Sequence, residues 1–409
     1  MINIKGMLIK YQDVFFPVFD VLLNGLNFFM HIYISWFISL NEYSILNAML
    51  SFLAILFVVG ISVQTYTNKE VGKSKNNSQV IRSIFSLLIS IGLFLNILLL
   101  LLFPTLIKIM RTDTLGIILI MLIFDMNIIL SFYRGIMQSQ QHFLSLNINF
   151  YVEVITKLIV IVAILPFFSQ PHIPLIGILL GMFFSLIHGY HSSGRLVYFP
   201  MLFSKKIRVN LFGLAHIIWA NFFLYYLTSV SLIVANYYIG ERAALYAVSL
   251  KFSQLIMAVG FSVITVVVSY SSGLIIHPEE FKAYVHKWLI RFCLGGVVIL
   301  VGYQLVVRHF IAFLFGEAYQ GASQFMVFQA LGYVMLTIAY FMISELIIMN
   351  QKVHIYILAA VSAMLTTGIL LYHESIRMII VVEVVSYSLL LVTLFMSYMR
   401  REKKDAAKV

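Results

Sequence analysis

Long apolar runs, broken by short polar stretches, recur along the whole chain. A helix needs about 20 residues to cross the hydrocarbon core of a bilayer. The runs predict twelve such helices, at 14–36, 43–66, 82–103, 114–133, 149–168, 174–194, 212–237, 245–270, 285–307, 323–347, 353–371 and 378–398. Strands of a membrane barrel alternate apolar and polar positions and cross in about 9–11 residues. The run from Ile84 to Ile107 is too long and too continuously apolar for that. The narrowest break is Ser39-Leu40-Asn41-Glu42, between the first two runs. No linker, low-complexity tract or soluble domain interrupts the pattern.

Composition agrees. Hydrophobic residues make up 62% and charged residues 11%, against about 45–50% and 25% in soluble domains. Lipid absorbs that excess where a globular core cannot. The few charges are unevenly placed: twenty of the 27 lysines and arginines fall on one set of alternate loops and five on the other. Basic loops stay cytoplasmic, so both termini are expected in the cytoplasm. The net charge of +11 then reads as a topology signal facing anionic lipid headgroups. No basic groove interleaved with aromatic residues accompanies it, and nucleic acid is not an expected partner. Cys293, the single cysteine, rules out an intramolecular disulfide and reads as a small packing residue. No small-residue cleavage site follows the first apolar run, which is expected to be retained as a span.

A repeat is embedded in this pattern. Val59-Gly60-Ile61-Ser62-Val63-Gln64-Thr65 recurs as Val259-Gly260-Phe261-Ser262-Val263-Ile264-Thr265, 200 residues later. The copies end the second and the eighth predicted spans, which run in the same direction. The chain therefore reads as two co-oriented halves of six spans, 1–203 and 204–409, related by an axis along the membrane normal. The expected fold is an all-α integral membrane protein, with twelve transmembrane helices in two parallel-repeat six-helix bundles around a central cavity.

Three segments narrow this further. The turn Ile38-Ser39-Leu40-Asn41-Glu42-Tyr43 leads into a long apolar span with the polar exit Gly60 to Thr65. Phe132-Tyr133-Arg134-Gly135-Ile136-Met137-Gln138-Ser139-Gln140-Gln141-His142-Phe143 follows the fourth span, with Asn147, Glu153 and Lys157 beyond it. Pro174-Leu175-Ile176-Gly177-Ile178-Leu179-Leu180-Gly181 opens the sixth. In this order the chain resembles the Wzx-type polysaccharide biosynthesis family of lipid-linked oligosaccharide flippases. That family belongs to the multidrug/oligosaccharidyl-lipid/polysaccharide (MOP, MATE-like) exporter superfamily. The resemblance implies a flippase that moves an undecaprenyl-pyrophosphate-linked oligosaccharide across the bacterial cytoplasmic (inner) membrane by alternating access. It would feed O-antigen, capsule or exopolysaccharide assembly, beside membrane lipids, a polysaccharide polymerase and glycosyltransferases. Some lipid-linked precursor flippases of the superfamily hold a pyrophosphate on arginines in the first two spans. This chain has none there.

Charges within spans are costly unless paired or hydrated, so each is a candidate site. Lys251 stands where Ser51 stands in the first copy of the repeat. It reads either as a cationic anchor for pyrophosphate in a cavity or as a lysine snorkelling to the interface. Asp125, near the middle of the fourth span, reads as a proton or cation site, as a partner for Lys251, or as a hydrogen-bonded buried acid. Arg134 and Arg291 sit at predicted cytoplasmic ends, where snorkelling suffices and where they are placed to guide an anionic headgroup. Glu153 and Lys157 have the favourable acid-first i, i+4 spacing of a helical ion pair. Asp20, Glu345 and Glu383 lie near span ends and read as interfacial. These five residues are the candidates for coupling or for structural ion pairs.

His188 and His191, at i, i+3, lack further nearby ligands, so a metal site is not expected. No P-loop, nucleophile elbow or zinc-protease motif occurs, and neither catalytic residues nor a cofactor are expected. Gly177 and Gly181 predict close helix contact. A drug or metabolite antiporter of the same superfamily is the alternative. A membrane polymerase is disfavoured, because the longest predicted outer loop, 308–322, is too short to hold an active site.

Overall fold

The structure is a computed structural model that describes residues 12–73, 78–193, 211–275, 277–349 and 351–406. The side chain of Asp20 lies outside that description, as does the sequence-based division at 203/204. Helix is the regular secondary structure throughout the described residues. In chain order the helices are α1 (Gln12–Ser35), α2 (Leu40–Lys73), α3 (Ser78–Leu101), the short α4 (Phe103–Met110), α5 (Thr114–Ser139), α6 (Phe143–Ile164) and α7 (His172–Ser192). They are followed by α8 (Leu211–Ile239), α9 (Ala243–Leu274), α10 (Pro278–Leu305), the short α11 (Ile311–Phe315), α12 (Met326–Ile348), α13 (Val353–Leu371) and α14 (Ile376–Ala406).

Leaving out the two short helices, each predicted span has its helix. Ten stretches of the described residues are long and apolar enough to cross a membrane. One of them, Ile217–Leu274, runs through both α8 and α9, and α1 adds the shorter apolar stretch Val21–Ser35. The chain is a multi-pass membrane protein. The predicted outer loop 308–322 is almost wholly helical, with α11 flanked by 3-10 turns. Cys293 is exposed, so its expected packing role is not met.

Local chemistry explains where helices start. Before α2, the Ser39 amide donates to Glu42 Oε2 at 2.9 Å and the Glu42 amide to Ser39 Oγ at 3.3 Å. This reciprocal capping box satisfies two donors left open at the helix start. Asp113 caps α5 by accepting from the Gly116 amide at 2.9 Å. Pro278 opens α10, ahead of Glu279 and Glu280, where a missing N–H is harmless and acids complement the helix dipole.

The chain divides into two compact units, residues 1–225 and 226–409, with the division inside α8. In the first, α2 packs on α5, α3 on α5, α5 on α7 and α6 on α7. In the second, α9 packs on α12, α10 on α12, α12 on α14 and α13 on α14. These are the same positions of the six-helix order: second on fourth, third on fourth, fourth on sixth, fifth on sixth. The repeated glycines mark the shared second-to-fourth contact. A Cβ on Gly60 would fall 2.0 Å from Asn127 Oδ1 of α5, and one on Gly260 would fall 2.3 Å from Thr337 Cγ2 of α12. Neither site has room for a side chain, so the sequence echo has a packing cause in both units.

Candidate functional site: a polar pocket in the first unit

Within the first unit, five helices surround a pocket of about 290 Å³. Helix α1 contributes Asn24 and Asn27, α2 Phe57 and Gln64, and α5 Asn127, Ser131 and Arg134. Helix α6 supplies Asn147, Phe150, Glu153 and Lys157, and α7 closes it with Met182. Amides, two basic residues and one acid thus converge within an apolar helical bundle.

Arg134 organises one wall. Its Nη2 donates to Glu153 Oε2 at 2.5 Å and to Ser185 Oγ at 3.3 Å, and its Nε donates to Asn149 Oδ1 at 2.7 Å. The guanidinium carbon lies 4.0 Å from the centre of the Phe150 ring, a cation–π contact that helps hold a desolvated charge. Asn149 donates in turn to the Ser185 carbonyl at 2.6 Å and lies 3.3 Å from His188 Nδ1. Helices α5, α6 and α7 are thereby tied at one level. A Cβ on Gly181 would sit 2.5 Å from the Glu153 carbonyl oxygen, and one on Gly177 would sit 3.2 Å from the Lys157 carbonyl oxygen. The close approach predicted from this glycine pair is the α6–α7 contact that carries Glu153 and Lys157.

Two expectations are corrected here. Arg134 does not snorkel: it is 5% exposed, because α5 continues to Ser139 and α6 and α7 close over it. Glu153 and Lys157 do not form the i, i+4 ion pair. Glu153 turns to Arg134, whose Nη2 bonds it directly, and Lys157 Nζ donates to Asn27 Oδ1 of α1 at 2.5 Å. One acid is thus committed to one cation, and the second buried cation is held by an amide. Asn24, Asn27, Asn149 and Ser185 were not singled out from sequence, and Gln64 only as part of the repeated segment. The available signal was Asn24 and Asn27, polar residues at i, i+3 in an otherwise apolar span.

The remaining candidates lie elsewhere. Asp125 accepts from Asn96 Nδ2 of α3 at 2.6 Å and is half-buried. Lys251, also half-buried, has Gln254 Oε1 3.3 Å from its Nζ. Arg291 is exposed, well within α10 rather than at its end, and covers the Trp288 ring at 4.7 Å. Glu345 and Glu383 are not interfacial: they are 0% and 1% exposed. Glu345 has Ser271 Oγ 3.0 Å from each carboxyl oxygen. Glu383 accepts from Tyr246 Oη at 2.6 Å and from Gln329 Nε2 at 2.7 Å. Neighbouring helices cover both acids despite their nearness to helix ends. Among the described residues, neither has a cation within ion-pair distance, and no cluster of His, Cys, Asp or Glu suits a metal ion.

No protein-family model and no curated protein sequence matches this chain. Solved structures do. The lipid II flippase MurJ, in an inward closed conformation, is 14% identical with a TM-score of 0.77, over 94% of this chain and 87% of the flippase. A multidrug resistance MATE family transporter of the MOP superfamily, facing inward, is 11% identical with a TM-score of 0.70, over 95% of this chain and 98% of the transporter. A MOP superfamily transporter from Pyrococcus furiosus is 13% identical with a TM-score of 0.64, over 97% and 95% of the two chains. At these identities the likeness is one of fold: the chain has the twelve-helix membrane architecture shared by MOP-superfamily transporters and the lipid II flippase.

Proposed function

We propose that this protein is a flippase that moves a lipid-linked oligosaccharide, carried on undecaprenyl pyrophosphate, from the cytoplasmic to the outer leaflet of a bacterial inner membrane by alternating access. The observation that carries this reading is the chemistry of the pocket. Its one acid is neutralised by Arg134, Lys157 leaves a surplus positive charge, and the remaining polar groups are amides and a hydroxyl. Amides both donate and accept, which suits sugar hydroxyls, and aromatic faces such as Phe57 and Phe150 suit sugar rings. A surplus cation in a desolvated pocket favours an anionic group and disfavours a cationic drug. The shared fold with a lipid II flippase supports the same reading.

Deleting the gene tests it. Lipid-linked repeat units are then expected to accumulate on the cytoplasmic leaflet. Normal delivery to the outer leaflet, in a strain with no second flippase, would overturn the reading.

One observation favours a cation-coupled antiporter instead: Asp125 is a half-buried acid held by a single amide donor. Loss of drug efflux in Asp125→Asn, with oligosaccharide delivery unchanged, would select that alternative.

A further inference from the structure

The second unit carries two buried acids in contrasting settings. Helices α9 and α12 are neighbours. Glu383 of α14 is bonded by Tyr246 in the first turn of α9 and by Gln329 in the first turn of α12. Helix N-termini carry partial positive charge, and two donors converge on this carboxyl. These donors oppose the cost of burying a charge there.

Glu345 occupies the opposite end of the same helix pair. It lies in the last turn of α12, and its partner Ser271 lies in the last turn of α9. Helix C-termini carry partial negative charge. The carboxyl is fully buried, and burial disfavours the charged form. Among the described residues, no cation lies within ion-pair distance of this carboxyl. On α10, Arg291 is exposed over Trp288, Tyr284 is within electrostatic reach of Glu345, and His286 faces Tyr398. On α14, Tyr398 is within electrostatic reach of Glu345 as well.

The serine geometry suits both protonation states. Ser271 Oγ is 3.0 Å from each oxygen of Glu345 and 3.1 Å from the Val268 carbonyl. A hydroxyl has one proton to donate and lone pairs to accept with. Facing a carboxylate, Ser271 donates to Glu345. Facing a carboxylic acid, it accepts from Glu345 and turns its own proton to Val268. No heavy atom has to move between the two states.

We infer that Glu345 is a proton-binding site of the second unit, with Ser271 as the hydrogen-bond partner that serves it in both states. On uptake, a lone pair of one carboxylate oxygen forms an O–H bond with a proton delivered from water. On release, that bond breaks and the electron pair returns to the oxygen. The ligand is H⁺, and the site gives a carrier a means of drawing on a proton gradient.

Infrared difference spectra of the full chain in detergent, recorded across a pH titration, test this without any substrate. The outcome is therefore separable from that of the oligosaccharide reading. A protonated-carboxyl C=O band is expected at mildly acidic pH and is expected to vanish at mildly alkaline pH. It should be absent in Glu345→Gln and retained in Glu383→Gln. Ser271→Ala removes the one donor to the carboxylate. Since a hydrogen bond to a charged group is strong, the midpoint should move up by about one to two pH units. The same titrating band in Glu345→Gln, or an unmoved midpoint in Ser271→Ala, would overturn the inference. The serine variant keeps the test decisive should Glu345→Gln fold poorly.

Discussion

At the scale of single residues, the first unit depends on Arg134 and Glu153 as a coupled pair. Taking away one member of a buried ion pair strands the other and costs about 3–5 kcal/mol, whereas replacing both with apolar groups is far less damaging. Arg134→Met is therefore expected to destabilise the protein by about that amount, with much of it recovered in Arg134→Met/Glu153→Leu. Thermal unfolding in detergent reads both. Single-variant effects that simply add in the double variant would show that the two residues do not act together. Gly316 is a second case, with φ 96° and ψ 161° between α11 and the following 3-10 turn. Residues with a Cβ are strained in this region by about 1–3 kcal/mol, so Gly316→Ala should lower the unfolding midpoint although no atom crowds the position. Sequence singled out Arg134 at a predicted span end and Glu153 and Lys157 within a span, but not the partners each one takes. Arg134 and Glu153 lie 19 positions apart and Lys157 and Asn27 lie 130 apart, on helices whose adjacency is settled by packing. The local i, i+4 rule lost because a guanidinium is more weakly hydrated than an ammonium and so is the better partner for a buried carboxylate.

At the scale of helices, one contact positions the pocket. Gly181 lets α7 approach the α6 backbone at Glu153, so Gly181→Ala must push the two helices apart. Overpacking of this kind costs about 1–3 kcal/mol, and here it should also displace Glu153 from Arg134. Transport is thus expected to fall together with stability. A variant with normal stability and normal transport would mean that the contact is not needed. At the start of α5, Asp113 bonds the Gly116 amide and lies 2.8 Å from His172 Nε2. Its slight burial pushes the pKa up, but the backbone and histidine contacts outweigh this, and the result lies below the ordinary carboxylate value. A depressed pKa stabilises the fold fully above the ordinary value and loses that effect as pH falls through the folded-state value. The unfolding midpoint of the native protein should consequently decline more steeply in acid than that of Asp113→Asn. Parallel acid limbs would remove Asp113 from the account. Helix positions were legible because a bilayer demands about 20 apolar residues per crossing. The short α4 and α11 were not, since eight and five residues leave no such signature. Depth was misjudged for Glu345 and Glu383 because distance to a helix end says nothing about which neighbours cover the site.

At the scale of the molecule, the echo of Gly60 in Gly260 reports a shared packing rule: the second helix of each unit meets the fourth where a side chain cannot fit. The units diverge in their polar interiors. The first holds an arginine–glutamate pair and an amide-bound lysine, and the second holds two buried acids that, among the described residues, have no cation within ion-pair distance. We assign the anionic cargo to the first interior and the proton to the second. The most direct measurement is translocation of an undecaprenyl-pyrophosphate-linked oligosaccharide in proteoliposomes containing the purified protein, scored by which leaflet exposes the sugar. Transfer well above that of protein-free vesicles is expected, reduced on the order of tenfold or more in Lys157→Met through the loss of at least ~1.4 kcal/mol of attraction. Transfer no faster than in protein-free vesicles would contradict the flippase reading.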